Sequence, residues 1–114
     1  STKQERDSWL MELSRALNRG DDYRLDAISV YIFGSCARGT VGRDIDLLIV
    51  YDKQVVTLPQ ALDIRAQLAH RVRMETGKLT DICLLSSDEA EWLTFVREEK
   101  ARRIVGREFA IPQA

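Results

Sequence analysis

The sequence predicts a small α+β domain, a two-layer α/β arrangement in which helices flank a short mixed sheet, in the order α-β-β-α-β-α. Three observations predict it. Segments with apolar residues at three- and four-residue spacing alternate with short runs rich in β-branched and aromatic residues. Gly, Pro and Ser punctuate the boundaries between them. The 114 residues, 45% of them apolar, suffice for one core and leave no room for a second, so a single domain over residues 1–114 is expected.

From Glu5 to Arg19, Trp9, Leu10, Leu13, Ala16 and Leu17 form an apolar stripe that stops at Gly20, a first amphipathic helix. Ala27 to Phe33 reads as a strand running into a turn at Gly34-Ser35. After the loop Cys36 to Arg43, the segment Asp44 to Tyr51 is a second strand, polar at its start and apolar through Leu47, Leu48, Ile49 and Val50, which suits a central position. Pro59 opens a second helix carrying Leu62, Ile64, Leu68, Ala69 and Val72 to a stop at Gly77. Leu79 to Leu85 is a third strand. Ser86 or Ser87 then caps a last helix whose apolar residues are Ala90, Trp92, Leu93, Phe95, Val96, Ile104 and Val105, before a short tail Ile111 to Ala114.

Composition narrows the function classes. Lys and Arg number 17 against 18 Asp and Glu, a net charge of -1, so the chain lacks the positive field on which nonspecific nucleic-acid binding draws. No apolar run approaches a membrane span, and the N-terminal segment is too polar for a secretory signal; a soluble, cytoplasmic protein is expected. The two cysteines, Cys36 and Cys83, have neither redox nor zinc spacing and read as reduced thiols. With one histidine and no Cys/His cluster, any metal is expected to be held by carboxylate oxygens, as magnesium or manganese is.

The chemistry concentrates in residues 33–47. Side chains alternate across a strand, so Asp44 and Asp46 project from one face and bring two carboxylates together. Adjacent anions repel, and a divalent cation is the simplest neutraliser. Upstream, Gly34, Gly39 and Gly42 let the loop approach a ligand closely, and Ser35 supplies a hydroxyl and N–H groups for phosphate oxygens. Arg38 and Arg43 fit two readings equally, as cations countering phosphate charge or as ordinary surface arginines. Asp81 is the third acid. It stands in an otherwise apolar strand, where an unpaired carboxylate bordering an apolar layer is costly and a shared metal would offset the cost.

These residues resemble the DNA polymerase β-like nucleotidyltransferases, and within them the minimal nucleotidyltransferases of bacteria and archaea. Phe33-Gly34-Ser35, Asp44-Ile45-Asp46-Leu47 and Asp81 match the family pattern of a hydrophobic residue, Gly, Ser, a loop, Asp-hydrophobic-Asp-hydrophobic and a later third acid. Ala37-Arg38-Gly39 repeats a tripeptide common in the minimal group. One departure is the loop from Cys36 to Arg43, which holds eight residues and lacks the Asp-Ser pair that often precedes the first catalytic Asp.

The resemblance implies a polymerase β-like nucleotidyltransferase fold and transfer of a nucleoside monophosphate from an NTP, ATP first, to an acceptor hydroxyl with two Mg²⁺ ions. By that resemblance Asp44, Asp46 and Asp81 are catalytic residues and metal ligands, and Gly34, Ser35, Arg38 and Arg43 bind the nucleotide. Relatives of this size are commonly encoded beside a HEPN-domain toxin, whose tyrosine would be the acceptor, giving this chain an antitoxin role. The rival readings are a noncatalytic antitoxin or binding module, and a nucleotide sensor without turnover. An Arg65-x4-His70 spacing also matches HEPN-type ribonucleases, but those are all-helical, and an ordinary helix face explains it. Arg97-Glu98-Glu99-Lys100 reads as a solvated helical face.

Overall fold

A computed structural model describes residues 11, 13–15, 25–34, 44–89 and 91–109. Four strands, β1 (Ile28–Phe33), β2 (Asp44–Tyr51), β3 (Leu79–Ser86) and β4 (Arg102–Gly106), form one sheet in the order β3-β2-β1-β4. Two helices are fully described, α1 (Leu58–Thr76), between β2 and β3, and α2 (Glu91–Glu99), between β3 and β4. β1 pairs antiparallel with β2 and with β4, whereas β2 and β3 run parallel because α1 carries the chain back between them. The sheet is mixed, and β2 is internal, as its apolar run predicts.

Local chemistry sets the limits of α1. Thr57 adopts an extended N-cap conformation: its Oγ1 accepts from the Gln60 N–H at 3.3 Å and its own N–H donates to Gln60 Oε1 at 2.9 Å, a reciprocal capping box. Pro59 lies in the first turn, where its missing N–H costs nothing. At the other end Gly77, at φ 74°, donates its N–H to Arg73 O and ends the helix. Between these caps Ala61, Ile64, Leu68 and Val72 make the buried stripe.

The pleat sorts the strand residues between two cores. Ile28, Val30 and Ile32 of β1 and Ile45, Leu47 and Ile49 of β2 pack with the α1 stripe on one face. On the other, Tyr31, Leu48 and Val50 pack with Trp92 of α2 and with Phe109, joined by Phe33, Leu85 and Phe95. Phe33 and Phe95 meet edge to face with ring centroids 4.7 Å apart, which fixes α2 over the end of β1. Of the expected first helix, Met11, Leu13, Ser14 and Arg15 are described; they are helical, with Leu13 buried in the α1-side core.

The end of the chain departs from expectation. Ile104 and Val105, predicted on the last helix, lie instead in β4, where Val105 pairs with Val30. α2 stops because Lys100 turns left-handed, at φ 53°, while Lys100 N–H donates to Arg97 O and Ala101 N–H to Val96 O. That is a Schellman cap with lysine in place of the usual glycine, which is why no stop signal shows in the sequence. The start of α2 also differs. Ser86 ends β3 and donates to Asp88 at 2.5 Å, and the Ser87 N–H bonds Tyr51 O, so both serines tie off the strand and the helix begins at Glu91. Among the described residues no helix is long and apolar enough to cross a membrane.

Candidate active site

The acids meet because of strand register. In the parallel ladder Asp46 is the Cα partner of Asp81, and Asp44, two residues earlier on β2, pairs with Leu79. Paired residues project to the same side, so all three carboxylates stand on the sheet face that also carries Tyr31, Phe33 and α2. Asp44 and Asp81 are exposed and Asp46 is half-buried. The expectation that Asp81 borders an apolar layer is corrected: β3 lies at one end of the strand order, and both Asp81 and Cys83 face solvent. No burial cost therefore accounts for Asp81; its place beside Asp46 does.

Gly34 closes the site from β1. It sits at φ 72°, open to glycine and costly to other residues. A Cβ built there would collide with Oδ2 of Asp46 and come within 3.2 Å of its Cγ, so the carboxylate lies directly against the glycine backbone. No larger residue fits without moving Asp46.

The electrostatics follow from this crowding. Burial, then the charges of Asp81, Asp44 and Glu99, push the Asp46 carboxyl above its ordinary range. The neighbouring Cys83 thiol is also raised, first by burial and then by Asp81 and Asp46. Glu99 is an acid that sequence reasoning missed, taken there for part of a solvated helix face. Its link to the site is Phe95, one helical turn earlier on α2, whose ring packs on Phe33 opposite Asp46 in the β1–β2 register. The i,i+4 spacing was visible; the docking of Phe95 was not.

The donors fit magnesium. Among the described residues no group of three or more His, Cys, Asp or Glu side chains converges closely enough to hold an ion unaided. Magnesium does not ask for that, since it takes one or two carboxylates and completes its octahedron with water and substrate phosphate. The hard oxygens of Asp46 and its neighbours suit it, and a cation would relieve the like-charge repulsion that, after burial, raises the Asp46 carboxyl.

The structure thus brings together Asp44, Asp46, Asp81 and Gly34. The predicted nucleotide-binding residues Ser35, Arg38 and Arg43, like Cys36, lie outside the described residues. His70 is exposed on α1, across the sheet from the acids, as an ordinary helix-face residue is.

The family model described as Polymerase beta, Nucleotidyltransferase matches residues 22–108, a span that contains Gly34 and all three acids. The chain belongs to that family. Among solved structures, this nucleotidyltransferase domain is similar to a toxin–antitoxin complex crystallised with AMP-PNP, with 20% identity, a TM-score of 0.56, and coverage of 87% of this chain and 74% of the other. It also aligns with a mutant of the toxin–antitoxin pair MntA–HpeT at 18% identity and a TM-score of 0.48, over 90% of this chain and 73% of the other. No curated protein matches the sequence. The family match and the first of these likenesses establish the fold, the small α+β nucleotidyltransferase domain with a four-stranded mixed sheet.

Proposed function

We propose that this nucleotidyltransferase moves AMP from ATP to a hydroxyl on a protein partner, a tyrosine of a HEPN-domain toxin, and thereby acts as an antitoxin. The observation that carries the chemistry is the juxtaposition of Asp46 and Asp81 in register on adjacent strands, with the Asp46 carboxylate against the bare backbone of Gly34. The partner and the nucleotide are supported by the fold neighbour, a toxin–antitoxin complex that holds an ATP analogue.

Each residue then has a task. Asp44 and Asp46 bind the magnesium ions that, when present, supply positive charge to the triphosphate and to the attacking oxygen. Gly34, having no side chain, lets the phosphates approach Asp46, and Ser35, Arg38 and Arg43 grip them from the following loop. Asp81, exposed at the sheet edge, is reached by an acceptor from outside the chain; its carboxylate orients the hydroxyl and takes its proton. A new bond forms from the acceptor oxygen to the α-phosphorus, the bond to the bridging oxygen breaks, and pyrophosphate leaves. The domain holds the donor and the partner holds the acceptor.

The test is to incubate the protein with labelled ATP, Mg²⁺ and the protein encoded beside it, and weigh both chains. A gain of one AMP on a partner tyrosine is expected. Neutralisation of the partner with no mass gain on either chain would replace the enzyme by a noncatalytic binding module.

A further inference from the structure

The two outer strands of the sheet are not alike. β4 has five residues, carries exposed Arg102 and Arg103, and pairs with β1 across a register shift at Val30 and Tyr31. Shortness, charge and a broken register are the devices by which an edge strand avoids pairing with another chain. β3 has none of them. It runs eight residues, Leu-Thr-Asp-Ile-Cys-Leu-Leu-Ser, with no Gly, no Pro and one charge, that of Asp81, and its register with β2 is unbroken from Leu79 to Ser86. Among the described residues β3 is paired on that side alone. Leu79 is 54% exposed, and Ile82 and Leu84 are half-buried against the α1-side core. Such an edge is a template for one more strand.

The place of this edge in the site says which strand it takes. Phe33, Asp46 and Asp81 occupy one row across β1, β2 and β3. Gly34 lies against the Asp46 carboxylate at the β1 end of that row, Asp81 stands at the other end, and the next place in the row is outside β3. A residue paired there has its Cβ about 5 Å from that of Asp81, on the same face. We infer that the acceptor protein docks as an extended segment hydrogen-bonded to the outer edge of β3, with its hydroxyl residue directly across from Asp81. This rests on the nucleotidyltransferase reading and names how the acceptor is held. Charge sets the rest of the segment. Asp44, Asp46 and Asp81 share the face on which the hydroxyl sits, so basic residues two places before and after it are favoured and acidic ones are repelled, while the alternate residues are apolar and cover Ile82 and Leu84. The same charge disfavours a second copy of this chain, because antiparallel pairing of β3 with itself brings a second acidic cluster onto the same face of the joined sheet.

The probe is the capped peptide Val-Lys-Val-Tyr-Val-Lys-Val, whose pattern is the same in either strand direction and sets Tyr and both Lys on one face. Its dye-labelled form is titrated with the full chain in EDTA without nucleotide and followed by fluorescence anisotropy; transfer of AMP to its tyrosine is then measured with ATP and Mg²⁺. Alternate N–H groups of an extended segment point to opposite sides, so two N-methylated versions are compared, one methylated at Lys, Tyr and Lys and the other at the three Val that follow them. One version should lose at least roughly tenfold in affinity and in transfer while the other stays close to the parent, because the hydrogen bonds to β3 all lie on one side. Exchange of both Lys for Glu should weaken binding. Equal behaviour of the two methylated versions overturns the docking, as does transfer to N-acetyltyrosinamide as efficient as to the peptide, or labelling of the protein encoded beside this chain with no binding of the peptide. A chain that sediments as a dimer and becomes a monomer on Leu79→Lys also overturns it, giving the edge to a second copy. Side-specific peptide binding with no AMP transfer, either to the peptide or to the protein encoded beside this chain, leaves the docking standing and overturns the nucleotidyltransferase reading.

Discussion

β2 begins in acid and is followed at once by acid, and its two ends are built for opposite purposes. Beyond the C-terminal end, Asp52 sits in a closed network: its N–H bonds Ala27 O, its carboxylate accepts from Gln54 N–H, and Arg107 reaches its Oδ2 at 3.3 Å. Beside it Lys53 pairs with Asp88 at 2.6 Å, and Asp88 also accepts from Ser86. At the other end burial and then the charges of Asp81, Asp44 and Glu99 drive the Asp46 carboxyl up, where that of Asp88 is drawn down. The same residue type is neutralised within the fold at one end and crowded with like charge at the other. Crowded carboxylates weaken a fold, and a cation bound beside Asp46 would offset that cost.

The largest effect expected from breaking the acid end is on rate. Asp81→Asn keeps the shape and removes the carboxylate that takes the acceptor proton, so transfer should fall by about 10²–10⁴-fold. Nucleotide affinity should persist, since Asp44 and Asp46 remain. Labelled-ATP transfer to the partner checks the first outcome and calorimetry with AMP-PNP the second; full transfer by the variant would remove Asp81 from the mechanism.

Next in size is Gly34→Ala. The left-handed backbone alone costs an alanine roughly 1–2 kcal/mol, and the collision with Asp46 adds to it. In an Asp46→Ala background the collision is gone and only the backbone cost remains. Urea unfolding of the four proteins in that cycle measures the difference, and an equal penalty in both backgrounds would show that the Asp46 carboxylate does not rest on Gly34.

The same contrast explains what could be read from the sequence. α1 was legible because its signals are local: Thr57, Pro59 and Gly77 each act within one turn. The pairing of Asp44 with Asp46 was legible because alternation along one strand is enough to predict it. β4 was not, because its pairing with β1 is long-range and the cap that frees it uses a lysine; Ile104 and Val105 continue an acceptable helical spacing. Nor was the exposure of Asp81, which depends on β3 lying at the sheet's end and not on its own apolar neighbours. Glu99 enters the site only through the contact of Phe95 with Phe33. In each case the missing information was the place of an element among the others.

A smaller effect, in stability, separates the ends by sign. The folded pKa of Asp46 is above its unfolded value, so between the two the folded state binds more protons and stability falls as pH rises through that window. Above the window the metal-free protein carries the full penalty. Asp46→Asn should therefore be more stable than wild type at neutral pH without metal, and that advantage should shrink as pH falls toward the ordinary aspartate value of about 3.9. Urea unfolding in EDTA across that range tests it; a variant less stable than wild type at neutral pH would mean that the repulsion at Asp46 is offset within the fold.

The smallest effect belongs to the closed end, and its sign is the reverse. Asp88 has its pKa lowered, first by the hydrogen bond from Lys53 and then by that from Ser86, while the Lys53 pKa is raised, first by its hydrogen bond to Asp88. Stability from Asp88 is thus present above its unfolded value and is lost as pH falls through the lower folded value. Stability from Lys53 is present below its unfolded value and is lost as pH rises through the higher folded one. The pair works between those limits, across the whole neutral range, and both partners are solvent-exposed, so its contribution is small and screened by salt. Asp88→Asn should destabilise slightly at neutral pH, with the difference from wild type shrinking in high salt and vanishing once pH falls below the folded pKa of Asp88. Asp46→Asn and Asp88→Asn should then move stability in opposite directions at neutral pH although each removes one carboxylate from the same chain. Unfolding curves for both variants at low and high salt decide it: a shift in the same direction for the two would mean that the ends of β2 are not electrostatically distinct.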